Sequence, residues 1–271
     1  MKLLEVRHLK VWEVQTGNVI VHDTSFTLEQ GQCLAIVGES GSGKSVTSRA
    51  IMRLNNKNLQ QTGEIFLKNE ALHLLSEKHM QRKRGKNLCM ILQNGMTAFD
   101  PSCLIKVHLY ETLHTHFGWS ENESEQALMQ VMEKVNLKNP QEILHKYPHQ
   151  LSGGMLQRMM IALALALEPD IMIADEPTTA LDTISQYEVV QQFINIRQQM
   201  NCAIIFISHD LGVVRKIADK VLVMKDGEVV EQGDVQAIFA NPQHDYTKYL
   251  ITTRGAINDH FKKVMGENVP C

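Results

Sequence analysis

Residues 38–45 read G-E-S-G-S-G-K-S, a glycine-rich run closed by Lys-Ser. The spacing G-x-x-x-x-G-K-[ST] supplies what a bound polyphosphate requires. Gly38, Gly41 and Gly43 allow tight turns that bring backbone N–H groups close to phosphate oxygens. A helix starting at the end of the run adds the positive end of its dipole. Lys44 places a point charge at the terminal phosphates, and the Ser45 hydroxyl is a hard oxygen ligand suited to Mg²⁺. The candidate nucleotide-binding set is therefore Gly38, Glu39, Ser40, Gly41, Ser42, Gly43, Lys44, Ser45 and Val46.

A second group of residues carries hydrolytic chemistry. Residues 171–176 read I-M-I-A-D-E, an apolar run that delivers two adjacent carboxylates. Asp175 is placed to hold Mg²⁺ through water, and Glu176 to polarise an attacking water as general base. Gln93 follows the apolar run 88–92 and is expected to reach the metal or the water. His209 follows the apolar run 203–207 and is expected to hold the terminal phosphate and orient the water. No nucleophile-and-base pair for covalent catalysis stands out.

The elements that must position these residues are legible in outline. Runs 33–37, 171–174 and 203–207 are short, apolar and β-branched, as in strands buried on both faces of a parallel sheet. Each ends at a chemical residue, as functional groups do in open α/β sheets. The opening segment alternates through Leu4, Val6, Val11, Val14, Val19 and Val21 with a Gly17-Asn18 turn, which reads as antiparallel strands. From about 102 to 155 helical spacing takes over, as in Leu128, Val131, Met132 and Val135, and an inserted helical subdomain is expected. Asp226-Gly227 between two apolar runs predicts a hairpin. The expected fold is α/β with a mixed core sheet, an N-terminal antiparallel β subdomain and the helical insertion. One domain covers residues 1–250 and a short tail 251–271; the chain beyond Asn241 is polar and expected to be helical in part.

Composition narrows the function. The 271 residues hold 27 basic and 30 acidic side chains, a net charge of −3, which disfavours a general nucleic-acid binder. The basic run Lys78, Arg82, Lys83, Arg84, Lys86 reads as a solvated face. Five cysteines form no C-x-x-C pair; Cys33, Cys89 and Cys202 sit in or beside apolar runs as small buried hydrophobes in a reducing compartment. The first ten residues mix charge into every turn, so no signal peptide is expected. The longest apolar stretch, 159–167, is far short of the ~20 residues of a membrane-spanning helix. His114 and His116 would not share a helix face, so a metal site with His108 is not expected.

Residues 151–158, L-S-G-G-M-L-Q-R, resemble the signature motif of ABC ATPases. The order of cradle, Gln93, signature, D-E, T-A-L-D (179–182) and S-H-D (208–210) is similar to that family over roughly residues 1–250. The resemblance implies two such domains paired head to tail around two ATP molecules. Leu151, Ser152, Gly153, Gly154 and Met155 would then face an ATP held by the partner's cradle, with Asp182 in the adjoining D-loop. Two glycines at a helix start suit an anion, through bare N–H groups and the helix dipole. The resemblance also implies an aromatic side chain stacked on adenine, for which Trp12 is the candidate, with Phe26 read as core.

Met155 stands where the family commonly has Gln. This form, with N-P-Q-H-D-Y-T-K-Y-L at residues 241–250 and F-D-P at 99–101, resembles the ATPase subunits of nickel, metallophore and oligopeptide importers. The resemblance implies an ATP- and Mg²⁺-dependent subunit at the cytoplasmic face of a membrane. Its implied partners are two membrane-spanning permease subunits, a second related ATPase or a copy of itself, and an extracytoplasmic binding protein. A groove near Phe99, Leu104 and Tyr110 would receive the permeases. Nickel, another metal chelate and peptide remain open as cargo, in that order. A soluble ABC ATPase acting on DNA or ribosomes is the remote alternative, without the coiled-coil insertion, zinc cysteines or second ATPase domain such proteins carry. With a lone Cys271 at the end, no iron–sulfur cluster is predicted.

Overall fold

The computed structural model of the chain describes residues 2–179, 181–199 and 201–253. Cys271 and most of the expected 251–271 tail lie outside the described residues. The strands are β1 (Lys2–Glu13), β2 (Val19–Glu29), β3 (Cys33–Val37), β4 (Leu59–Leu67), β5 (Glu70–Ala71), β6 (Leu88–Ile91), β7 (Ile171–Asp175), β8 (Ala203–Ile207), β9 (Lys220–Lys225) and β10 (Glu228–Asp234). The helices are α1 (Lys44–Ile51), α2 (Glu77–Lys83), α3 (Ile105–Phe117), α4 (Glu121–Lys134), α5 (Pro140–Leu144), α6 (Gly153–Leu167), α7 (Thr183–Gln199), α8 (Leu211–Ile217) and α9 (Val235–Ala240). Residues 245–253 are also helical. The chain divides into two compact units, one built mainly from Leu74–Ile204, the other from Lys2–Leu28, Gln32–His73 and the residues from Ile205 onward.

In the second of these units an antiparallel sheet has the order β2-β1-β4-β5. Its register sets Leu4 opposite Leu67 and Val6 opposite Ile65, all four buried, because alternation puts every second side chain of β1 on the core face. The same unit carries strands in the order β10-β9-β3-β8. β3 runs parallel to β9 with Ile36 opposite Leu222, and β9 runs antiparallel to β10, so this sheet is mixed as expected. β3 and β8 are buried at every position, which is why they read as unbroken apolar runs. Asp226 and Gly227 both sit at positive φ, 47° and 83°, the two-residue turn anticipated for the hairpin.

In the first unit β6 and β7 pair in parallel, with Leu88 opposite Ile171 and Ile91 opposite Ala174. Helices fill the chain from Ile105 to Leu167, so helicity continues beyond residue 155 until the chain enters β7. α4 starts at a capping box in which Ser120 and Glu123 exchange hydrogen bonds, and those bonds hold the Glu123 carboxyl below its usual range. It buries Leu128 and Met132, with Val135 just past its end also buried. α6 is apolar on nearly every face and is buried accordingly, through Leu156, Met159, Ile161 and Ala164 among others. Arg158 of α6 is paired with Glu188 of α7 at 2.8 Å. Among the described residues, no helix is long and apolar enough to cross a membrane.

Candidate functional site

The glycine-rich loop 38–45 begins where the buried strand β3 ends. Gly38 lies at φ 154°, and a Cβ there would stand 2.2 Å from the carbonyl oxygen of Met224 on β9, so only glycine fits. Gly43, at φ 95°, precedes α1 without a side-chain cap, and the first N–H groups of the helix are left to the loop. Lys44 is only 4% exposed. Its Nζ donates to the carbonyl oxygens of Gly38 (3.0 Å) and Glu39 (2.7 Å) and to Ser42 Oγ (3.5 Å). The ammonium is thus held inside the curve of the loop, with Ser45 and Val46 half-buried beside it in sequence. Glu39 and Ser40 are exposed, and the Glu39 N–H donates to the Tyr246 hydroxyl at 3.0 Å.

His209 lies in the same unit, one residue past the end of β8 and Ser208. The Ser208 N–H donates to the Ile36 carbonyl of β3 (3.3 Å), and Ser208 Oγ accepts the Asp210 N–H (3.0 Å). Asp210 in turn caps α8 through the N–H groups of Gly212 and Val213. The backbone on both sides of His209 is therefore fixed against the strand that carries the phosphate loop, while the His209 side chain is exposed. Trp12 sits half-buried on β1 opposite Gln60 of β4, and Phe26 is core at 6% exposed.

The carboxylates belong to the other unit. Asp175, the last residue of β7, is 3% exposed. Glu176 follows with φ 47°, a left-handed conformation that costs a non-glycine residue about 1–2 kcal/mol. Its Oε2 accepts hydrogen bonds from Thr179 Oγ1 (2.9 Å) and Gln93 Nε2 (3.3 Å). Gln93 and Glu176, distant in sequence, are thus brought together.

Gln157 was not singled out from sequence, yet it is only 1% exposed and its Nε2 donates to the carbonyl of Leu92, the residue before Gln93. It belongs to the first turns of α6, so the signature helix holds the Gln93 loop. The only local signal was a polar residue among apolar neighbours of a buried helix. In the signature, Ser152 caps α6 by accepting the Met155 N–H at 3.2 Å; Leu151 is buried and Met155 half-buried. A Cβ on Gly153 would meet little, but one on Gly154 would stand 2.9 Å from Ser185 Oγ of α7. Gly154 therefore also serves close helix packing. Asp182 accepts the Ser185 N–H (3.0 Å) and hydroxyl (2.7 Å) and steadies the start of α7. Ala180 of the T-A-L-D run lies outside the described residues.

Two further expectations bear on the surface around α3. The rings of His108, His114 and His116 have separate surroundings: Asp100 O at 3.3 Å, Trp119 O at 2.9 Å, and the Gly85 turn. Burial lowers the His116 pKa. Among the described residues, no cluster of three or more His, Cys, Asp or Glu is placed for a metal. Phe99, near which the permease groove is expected, is itself buried at 5% exposed and lies edge-on to His108. Tyr110 walls a groove together with Val107, His114 and Trp119 of α3 and the turn after it. Desolvation first, then the Glu125 charge, pushes the Tyr110 phenol up to about 12.

Comparison with known proteins places the chain in a family. The sequence profile described as ABC transporter matches residues 21–179. The chain is 50% identical over 269 residues, 99% of both chains, to the metal-staphylopine import system ATP-binding protein CntD of Staphylococcus aureus. It is 43% identical to the dipeptide transport ATP-binding protein DppD of Lactococcus lactis, over 97% of this chain and 77% of that one. Among solved structures, the ATP-binding cassette MJ0796 superposes with a TM-score of 0.76 at 23% identity, covering 86% of this chain and 99% of that one.

Proposed function

We propose, from the premise that the chain belongs to the ABC transporter family, that it is the ATP-hydrolysing subunit of an importer whose cargo is a metal chelate. The cargo assignment is supported by the 50% identity over 99% of both chains to the metal-staphylopine import subunit. The 43% identity to a dipeptide transport subunit supports peptide as the second reading. The cassette spans residues 1–250 with a helical subdomain at about 102–155, followed by the 251–271 tail.

The observation that carries the reading is the occurrence, in one chain, of a cation-bearing phosphate loop and a strained, doubly hydrogen-bonded carboxylate. The loop N–H groups, the α1 N-terminus and Lys44 hold the phosphates of ATP. Trp12 stacks on its adenine. The Ser45 hydroxyl, the Gln93 amide and the Asp175 carboxylate each offer a hard oxygen, the chemistry that fits Mg²⁺. When bound there, Mg²⁺ neutralises charge on the terminal phosphates. Glu176 takes the proton of the attacking water, Gln93 and Thr179 keep its Oε2 in place, and His209 steadies the terminal phosphate and the water. Ser152, Gly153 and Gly154 meet the ATP of a second, related cassette. ATP therefore favours the closed pair, and hydrolysis removes that preference. The pair works at the cytoplasmic face with two permease subunits and an extracytoplasmic binding protein.

Reconstitution tests this directly. The chain, its partner ATPase and the permeases in liposomes should hydrolyse ATP faster when binding protein loaded with metal chelate is added. Stimulation by peptide-loaded protein alone would move the cargo to peptide. An ATPase rate indifferent to the permeases would end the transport reading.

A further inference from the structure

The motif at residues 241–250 is given no task by the reaction, yet the structure ties it to the phosphate loop. Glu231 of β10 accepts the backbone N–H groups of Gln243 (2.8 Å) and His244 (3.0 Å), one on each carboxylate oxygen. Burial pushes the Glu231 carboxyl up, but the Gln243 bond, together with the other hydrogen bonds and the charge of segment 241–250, outweighs it and holds it below its usual range. His244 Nδ1 accepts the Tyr246 N–H at 3.1 Å, and the chain then turns helical. Tyr246, Thr247 and Leu250 are buried, at 7%, 2% and 3% exposed. The Tyr246 ring lies under Lys225 Nζ, 5.3 Å from its centroid. From this seat the Tyr246 hydroxyl accepts the N–H of Glu39, the second residue of the loop, at 3.0 Å.

A loop rich in glycine has many backbone conformations and loses that freedom when its N–H groups converge on phosphate. A contact that fixes one of its N–H groups beforehand lowers that cost. We propose that Tyr246 is a positioning residue for nucleotide: the segment 241–250 is a strap that preorganises the phosphate loop, so affinity for ATP depends on its seating. This rests on the proposal that the loop binds nucleotide.

The test uses the full chain, Mg²⁺ and a non-hydrolysable ATP analogue in a calorimeter. Tyr246→Phe keeps the ring and removes the acceptor. Its affinity should be about 3- to 10-fold weaker, within the worth of one hydrogen bond. Hydrogen exchange at the Glu39 amide should accelerate, and the KM for ATP should rise while kcat stays within twofold. Tyr249→Phe, whose ring is 54% exposed, should leave all of these unchanged. A Tyr246→Phe protein that binds the analogue as tightly as wild type overturns the strap, as does a parallel loss of kcat and melting temperature, which marks a merely structural role. Wild type that binds no analogue overturns the nucleotide reading itself.

Discussion

Replacing Glu176 by Gln separates chemistry from shape. Hydrogen bonds from Thr179 Oγ1 and Gln93 Nε2 converge on one oxygen of this side chain, Oε2. The amide oxygen of Gln can take that place, with its NH₂ where Oε1 stood, so neither bond need break. What is lost is the negative charge and the proton-accepting site. A positioned general base contributes about 10²–10⁴-fold, or about 3–5 kcal/mol of barrier. Exchanging a charged for a neutral acceptor at this half-buried position costs stability only about 1 kcal/mol. Glu176→Gln should therefore bind ATP as wild type does, melt within a few degrees of it, and release phosphate at least a hundredfold more slowly in a single-turnover assay. Size-exclusion chromatography with ATP should show the paired form accumulating. Thr179→Ala, which removes one of the two bonds, should cost about tenfold or less. Phosphate release by Glu176→Gln within threefold of wild type would remove Glu176 from the mechanism, and loss of ATP binding would show that the side chain holds structure instead.

Lys44→Ala removes a cation that donates to the loop carbonyls of Gly38 and Glu39; nucleotide affinity measured by fluorescence titration should fall about 10- to 100-fold. Gly154→Ala sets a methyl group 2.9 Å from Ser185 Oγ, and the overpacking should lower the melting temperature by about 2–12 °C; an unchanged melting curve would deny the close approach of α6 and α7. Burial pushes the Cys89 and Cys202 thiols up to about 12, so at pH 8 both stay protonated and peptide mapping should find neither alkylated by iodoacetamide in the native chain. The unfolded chain ionises those thiols from about pH 9 while the folded one does not, so stability should fall above that pH by about 1.4 kcal/mol per unit per thiol; urea titrations at pH 8 and 10 should show this extra slope vanish in Cys89→Ala/Cys202→Ala.

Much of the fold was legible because its elements write themselves locally. Strands buried on both faces have no polar side, so β3, β7 and β8 stand out as apolar runs, and each marks the position of Gly38, Asp175-Glu176 or Ser208-His209. The Asp226-Gly227 hairpin was readable because its turn demands two residues at positive φ. β4 was not readable: L-Q-Q-T-G-E-I-F-L carries few apolar residues and becomes a strand by pairing with β1, a partner far away in sequence. The burial of Phe99 was not readable either, because no local pattern says which side of a loop is covered.

By itself the sequence determined the chemistry. Glycines that tolerate any φ, an ammonium, a hydroxyl, adjacent acids and a Ser-Gly-Gly helix start are properties of residue types at short spacings, and short spacings survive in one dimension. Only the tertiary structure decided which groups hold those residues still. Gln157 grips the carbonyl before Gln93, Ser185 explains why Gly154 has no side chain, and Tyr246 reaches the Glu39 amide from 207 residues away. Such contacts follow from how strands and helices pack, and packing brings together residues whose separation along the chain carries no signal.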